Sequence, residues 1–152
     1  MKTKGGPIGK SVRIAGYENT VWEIELPSRA PVFMCYVKTD VYQPIFIDST
    51  LLLDLWKREP ANHGDGLAFG NQTSWRTYSK FNLAERGFAS GESNPVPLPT
   101  LLLEVVRGIV TASVQGQTRT IWLLANGCAL VPMQCKPEDA EILRKLLNNS
   151  PL

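Results

Sequence analysis

A chain of 152 residues, 43% hydrophobic and 20% charged, is long enough for one domain with a sizeable core. Its formal net charge of +2 and its pI of about 8.5 exclude a protein that binds nucleic acid through overall charge, so that any such contact must be local. Three cysteines without a Cys-x-x-Cys pair and a single histidine argue against a disulfide framework and a zinc site, and they fit a reducing cytoplasm.

The start of the chain is glycine-rich and basic, and no long apolar segment follows it. Because the sequence shows neither a signal peptide nor an apolar run of about 18 residues, we expect no membrane insertion. We predict a disordered arm over residues 1–10 and a single folded domain over residues 11–152.

The first half of that domain is predicted to begin with two strands that can pair as a hairpin. Residues 21–26 alternate apolar and acidic side chains, as a half-buried strand does, whereas residues 32–37 are apolar throughout. A third extended segment, residues 42–47, leads to Asp48. The carboxylate of Asp48 is a suitable N-cap for a leucine-rich helix over residues 50–58.

Residues 61–99 are rich in glycine and proline, so that we expect only short helices there, at residues 74–78 and 81–86.

Trp75, Arg76 and Lys80 belong to a stretch that interleaves cations with aromatic rings. Tyr78 and Phe81 supply its other rings. Such a composition can stack bases and bind phosphate, which makes the three residues candidates for a nucleic-acid contact. The alternative is that Trp75 belongs to the core and that the cations are solvated.

The stretch from residue 109 to residue 135 is the most informative, because its hydrophobic period changes twice. It predicts a strand at residues 109–114, a helix that begins within two residues of Thr118, and a strand at residues 130–135. Asn126-Gly127 ends the helix, with the glycine as its C′ residue.

A glycine turn between a strand and a helix directs backbone N–H groups and the positive end of the helix dipole outwards, an arrangement that holds phosphate. Gly116 supplies this turn. Arg119 lies in the first turn of the helix, where we expect it to be exposed and to add charged donors at the same place. The alternative is an ordinary connection with a solvated arginine.

The spacing of this block resembles the core motif of the ParB/sulfiredoxin superfamily: Val-x-Gly-x-x-Arg, a short helix, Asn-Gly, and Val-Pro at a strand start. The turn is usually Gly-Glu-Arg-Arg in ParB-type partition proteins and Gly-Cys-His-Arg in sulfiredoxin, whereas here it is Gly116-Gln117-Thr118-Arg119. Tyr42-Gln43-Pro44 before a capped helix also resembles ParB. The resemblance implies a single α+β domain with a small mixed sheet and short helices.

A narrower resemblance, over roughly residues 32–135, is to the plasmid fertility-inhibition family. It rests on the Asp-Val-Tyr-Gln-Pro segment near residue 40 and on Gly-x-x-Arg-Thr-x-Trp-Leu-Leu-Ala-Asn-Gly, together with a middle segment whose matching residues are Gly70, Asn71, Trp75, Lys80, Gly87, Phe88, Gly91 and Asn94 to Leu98. The resemblance implies a plasmid-encoded cytoplasmic factor that blocks DNA transfer through a type IV secretion system. DNA or the coupling protein would be its partner, and DNase and ATPase activities are attributed to the group.

The resemblances imply a site in which Gly116, Gln117, Thr118 and Arg119, with Asn94 opposite them, bind nucleotide or DNA phosphate. ATP and Mg²⁺ are the implied cofactors, and Arg119 and Thr118 are the candidate catalytic residues. The cysteine through which sulfiredoxin works is Gln117 here, which excludes sulfiredoxin chemistry. Relatives are expected to carry a more basic turn, so that catalysis by this chain stays open.

Other titratable groups carry weaker interpretations. His63 is expected to be solvated, and Cys35 and Cys135 to be inert core residues. Five acids could offer oxygen ligands to Mg²⁺ beside a phosphate, although none forms a paired motif: Asp40, Asp48, Asp65, Glu85 and Glu92. We therefore predict no metal site built by the protein alone.

Two other functions remain open at this stage. One is a non-catalytic inhibitor that binds the coupling ATPase of a secretion system and in which the pocket is vestigial. The other, a ParB-like partition or regulatory protein, has against it the absence of a helix-turn-helix segment after the core.

Overall fold

The computed structural model describes residues 9–14, 17–59 and 66–148. They form an α+β domain, as predicted. In chain order, its α-helices and strands are β1 (Gly9–Ile14), β2 (Tyr17–Leu26), β3 (Arg29–Val37), β4 (Gln43–Asp48), α1 (Ser49–Lys57), α2 (Gln72–Arg76), α3 (Phe81–Phe88), β5 (Val96–Pro97), β6 (Thr100–Val106), β7 (Ile109–Gln115), α4 (Gln117–Ala125), β8 (Leu130–Cys135) and α5 (Pro137–Asn148). Two short 3₁₀ helices, Leu67–Phe69 and Gly91–Ser93, precede α2 and β5.

The strands form two four-stranded sheets rather than the one small mixed sheet expected from the sequence. The first has the order β1-β2-β3-β5 and the second the order β4-β8-β6-β7. Neighbours are antiparallel except β3 with β5 and β6 with β8, which are parallel. Both sheets are therefore mixed.

The chain leaves the first sheet at the segment between β3 and β4. The hydroxyl of Tyr36 donates to the carbonyl of Tyr42, and Thr39 Oγ1 accepts from the backbone N–H groups of Val41 and Tyr42. These contacts turn the chain away from β3, so that β4 pairs with β8 instead of continuing the hairpin of β2 and β3.

Helix α4 lies in the core, between the second sheet and the helices α2 and α3. Every residue from Thr120 to Ala125 is buried. A helix that is apolar on all sides is expected to be buried in this way. Trp22 of the first sheet and Phe46 of the second meet edge to face, with ring centroids 5.5 Å apart, and this contact joins the two sheets.

Both ends of α4 are set by glycine, which confirms the predicted strand, helix and strand. Gly116 has a φ of 90° and Gly127 a φ of 80°, a region that suits glycine. The N–H of Cys128 donates to the carbonyl of Leu123, and that of Gly127 to the carbonyl of Leu124, the two bonds of a Schellman motif.

The start of the domain differs from its predicted boundary. Residues 1–8 of the expected arm lie outside the described residues, but Gly9 and Lys10 already pair with β2 as the beginning of β1. Within the described ranges, no helix is long and apolar enough to cross a membrane.

We predict that Trp122→Ala lowers the free energy of unfolding by about 3–5 kcal/mol, the usual cost of removing a buried tryptophan. Trp122 is 0% exposed and stacks on Phe88 with ring centroids 4.2 Å apart. Trp122→Phe keeps an aromatic ring there and should cost less. Urea denaturation followed by far-ultraviolet circular dichroism measures both; a loss below about 1 kcal/mol for the alanine variant would contradict the central place of α4.

Candidate functional site

The site begins at the turn between β7 and α4, where Gly116 is the N-cap of the helix. No side chain caps α4 at this end. The first N–H groups of an α-helix have no partner within the helix, and the helix dipole is positive there. Thr120 Oγ1 donates to the carbonyl of Gly116 at 3.0 Å and holds the turn closed. The turn therefore has the donors and the polarity that an anion requires.

Arg119 lies across this turn and is half-buried, so that the prediction of an exposed side chain is wrong. Its Nη1 donates to the carbonyl of Pro97 at 2.7 Å. A Cβ added to Gly116 would lie 2.6 Å from Nη2 of Arg119, so that only glycine allows the guanidinium to approach so closely. Burial lowers the pKa of Arg119, and the nearby thiol of Cys35 acts in the opposite direction. An arginine nevertheless stays protonated in a protein.

A cavity of about 310 Å³ opens beside the turn, between α3, the segment that contains β5, and the first turn of α4. Its lining is mainly apolar, and the lining residues are Leu83, Ala84, Gly87, Phe88, Asn94, Pro95, Val96, Pro97, Thr118 and Arg119. The fold thus brings together three of the predicted site residues, Asn94, Thr118 and Arg119. Gly116 and Gln117 belong to the same turn but do not line the cavity.

The predicted nucleic-acid residues do not assemble with Arg119. Trp75 is 5% exposed, and its Nε1 donates to the carbonyl of Leu67 at 2.7 Å, which favours the core interpretation of this residue. Arg76 Nη2 donates to the carbonyl of Ala125 at 3.0 Å and so lies at the opposite end of α4 from Arg119. Lys80 is exposed at the start of α3. A base-stacking surface made by these three side chains is absent from the described conformation.

A polar cluster behind the cavity was not expected from the sequence. Glu85 Oε1 accepts from Trp122 Nε1 at 2.9 Å, and Glu85 Oε2 lies 3.2 Å from Nη1 of Arg29. The guanidinium of Arg29 lies over the Trp122 ring, with Cζ 4.8 Å from the centroid. The sequence analysis gave Glu85 only as a possible metal ligand, and no local signal in the sequence connects residues so far apart.

Comparisons with known proteins show the family of the chain and a related fold. The family model of the plasmid fertility inhibition factor matches residues 44–148. The chain belongs to the plasmid fertility inhibition factor family. The matched range contains every described residue that lines the cavity, as well as the turn at Gly116.

A solved structure has a fold similar to that of this chain. It is a crystal structure of the oncogenic suppression activity protein, a plasmid fertility inhibition factor, as its gold(I) cyanide derivative. The two chains are 20% identical with a TM-score of 0.72, over 94% of this chain and 74% of the other. A search of curated protein sequences gave no match. The wider relation to the ParB/sulfiredoxin superfamily stays a prediction.

The other titratable groups of the chain are mostly accounted for by structural roles. Asp48 Oδ1 caps α1 by accepting from the N–H groups of Thr50 and Leu51, and Glu92 pairs with Lys10. Asp40 is exposed, whereas His63 and Asp65 lie outside the described residues. Across the described ranges, no group of three or more histidine, cysteine, aspartate or glutamate side chains could hold a metal ion.

The three cysteines are free and buried. Burial raises the pKa of each of the three thiols. The pKa is about 12 for Cys128 and about 11 for Cys135. Their thiols therefore stay protonated near neutral pH, which agrees with the expected inert role of Cys35 and Cys135.

We predict a pH-dependent contribution of Glu85 to stability. The hydrogen bond from Trp122, followed by the bond and the charge of Arg29, lowers the pKa of Glu85 below its ordinary value of 4.5, although burial acts the other way. A lowered pKa in the folded state stabilises the fold at pH values above the ordinary pKa. This contribution is lost as the pH falls through the folded-state pKa.

The measurement is the difference in unfolding free energy between the wild type and Glu85→Gln, taken from about pH 8 to about pH 3.5. It should be constant above about pH 5 and shrink below about pH 4.5. Glu104→Gln, on β6, controls for the loss of an exposed carboxylate. A difference that grows on acidification would show that the carboxylate of Glu85 is not the stabilised form.

Proposed function

We propose that this fertility inhibition factor blocks conjugative DNA transfer through a type IV secretion system, and that it does so with a phosphate-bearing ligand bound in the cavity at the start of α4. The ligand is a nucleotide or the end of a DNA strand. The observation that carries the proposal is the junction of an apolar cavity with the uncapped N-terminus of a buried helix and with the guanidinium of Arg119.

Each part of the cavity has chemistry that suits one part of such a ligand. The backbone N–H groups of the first turn of α4, with Arg119, suit the phosphate. Asn94 and Thr118 offer an amide and a hydroxyl to the sugar or to a phosphate oxygen. Phe88 and Val96 offer an apolar wall to a base. A volume of about 310 Å³ suits one nucleotide unit rather than a duplex.

The proposal is for binding rather than turnover. Among the described residues that line the cavity, none carries a carboxylate, an imidazole or a thiol that could act as a general base or as a ligand for Mg²⁺. The described lining therefore suits the binding of ATP, but it offers no carboxylate that would hold a magnesium ion. DNase or ATPase activity, for which Arg119 and Thr118 are the candidate residues, would need groups beyond this lining.

A second candidate function is protein binding without a nucleotide. The observation in its favour is the apolar rim of the cavity, where Leu83 is 56% exposed. An apolar segment of a secretion coupling ATPase could occupy the cavity in the place of a base. The two functions differ in whether the isolated protein binds nucleotide.

We predict that Arg119→Ala weakens binding of a fluorescent ATP analogue or of a labelled single strand by about 10- to 100-fold. A charge-assisted hydrogen bond contributes roughly 1.5–3 kcal/mol, and about 1.4 kcal/mol corresponds to tenfold. Arg119→Lys keeps the charge but loses the paired donors and should lie between the wild type and alanine. Fluorescence anisotropy measures the affinity.

The control for Arg119→Ala is Arg107→Ala, which removes the same charge from the exposed turn between β6 and β7. Because Arg119 also donates to the carbonyl of Pro97, its loss should lower the unfolding free energy by about 1 kcal/mol. Unchanged affinity in a folded Arg119→Ala protein would show that this turn does not bind the phosphate of the ligand.

We predict that Gly87→Leu weakens ligand binding in the cavity without lowering the stability of the fold. Gly87 lines the cavity within α3, and a Cβ added there meets no atom within 4 Å. Leucine should therefore occupy the cavity and weaken binding at least about tenfold, while replacing a helical glycine stabilises α3 by roughly 0.5–1 kcal/mol. Asn82→Leu adds the same side chain to an exposed position of α3 that does not line the cavity.

A mating assay then connects the cavity with function. A donor that expresses the wild type or Asn82→Leu should transfer a conjugative plasmid less often at unchanged copy number, and Gly87→Leu should restore transfer. If Gly87→Leu restores transfer but the wild type binds no nucleotide or DNA, the protein-binding function replaces the proposal. Loss of plasmid maintenance instead of transfer would indicate a partition protein.

A further inference from the structure

Glu85 connects three elements of the domain through one carboxylate. It lies on α3, accepts from Nε1 of Trp122 on α4 at 2.9 Å, and pairs with Arg29 at the start of β3 at 3.2 Å. Arg29 Nε is buried without a hydrogen-bond partner among the described residues. The pair with Glu85 is therefore an important anchor of the Arg29 guanidinium.

The contacts continue from this carboxylate to the wall of the cavity. Trp122 is 0% exposed and does not line the cavity. Its ring stacks on Phe88, with centroids 4.2 Å apart and planes 15° from parallel. Phe88 lies one turn after Glu85 on α3 and lines the cavity together with Ala84. The orientation of the indole thus determines where the ring of Phe88 can lie.

We propose that Glu85 is a positioning residue, which fixes the indole of Trp122 and thereby holds Phe88 and the α3 wall at the distance from α4 that the ligand requires. The inference rests on the proposed function of the cavity. Helix α3 has no side-chain cap at its start, and its buried face and this carboxylate both contribute to its position.

The geometry limits the effect of Glu85 to one part of the ligand. The wall that α3 supplies is apolar and faces a base or sugar, whereas the donors for phosphate belong to the turn at Gly116 and to Arg119. Loss of the Glu85 carboxylate should therefore weaken the binding of a nucleotide much more than the binding of inorganic phosphate. General destabilisation of the domain would weaken both.

The test compares Glu85→Ala and Glu85→Gln with the wild type and with Glu104→Ala, an exposed glutamate substitution on β6. A fluorescent ATP analogue is titrated by anisotropy, and inorganic phosphate is measured as its competitor. Glu85→Ala should weaken the analogue at least tenfold and change the affinity for phosphate less than threefold. Glu85→Gln keeps an acceptor for the indole N–H and should stay within threefold of the wild type.

A spectroscopic readout follows the same contact. Because Phe88 lies between Trp122 and the cavity, the ATP analogue should change the Trp122 emission of the wild type. The change should be absent in Trp122→Phe and reduced in Glu85→Ala at saturating ligand.

The possible outcomes are distinct. Two results would contradict the positioning role of Glu85 while leaving the proposed function in place. One is an equal loss of affinity for the analogue and for phosphate, and the other is a Glu85→Gln variant that binds the analogue as weakly as Glu85→Ala does. An alanine variant with wild-type affinity would do the same. If the wild type binds neither the analogue nor phosphate, the proposed function fails and the inference fails with it.

Discussion

The burial of α4 is the constraint on which the rest of the structure depends. Every residue of this helix from Thr120 to Ala125 is buried, so that other elements must cover all its sides. The second sheet covers one side, and α2 and α3 cover others. The chain must still change direction sharply at both ends of such a helix, and Gly116 and Gly127 supply the two positive φ angles that this requires. The turns at the ends of α4 are therefore consequences of its place in the core.

That constraint also explains why the candidate site lies where it does. A helix buried along its length can present polar groups only at its termini, since the remaining backbone donors and acceptors are paired within it. The carboxyl end is closed by the Schellman motif and by Arg76, which donates to the carbonyl of Ala125. The amino end has no side-chain cap and opens beside the cavity. The asymmetry leaves one end of α4 available to an anion.

The polar cluster of Arg29, Glu85 and Trp122 has a cost that the fold must offset. Removing an ion pair from water is unfavourable unless its members are well paired. Here the carboxylate and the guanidinium keep partial access to solvent, with side-chain exposures of 42% and 30%. The indole N–H of Trp122, which has no access, is satisfied by Glu85. The cluster thus lets a large aromatic residue fill the core without leaving its polar atom unpaired.

The sequence by itself determined the local architecture around the site. The change of hydrophobic period at residues 109–135 and the two glycines specified strand, turn, helix, turn and strand, because periodicity and φ preferences act within a few residues. The turn motif also pointed to Thr118 and Arg119, and the family resemblance pointed to Asn94; the fold brings these three residues to one cavity. Tertiary structure alone decided the division into two sheets, the burial of Trp75 and the engagement of Arg119 by Pro97. It alone paired Glu85 with Trp122, 37 residues away, and with Arg29, 56 residues away. Such contacts depend on how distant segments pack, and no local preference of the chain encodes them.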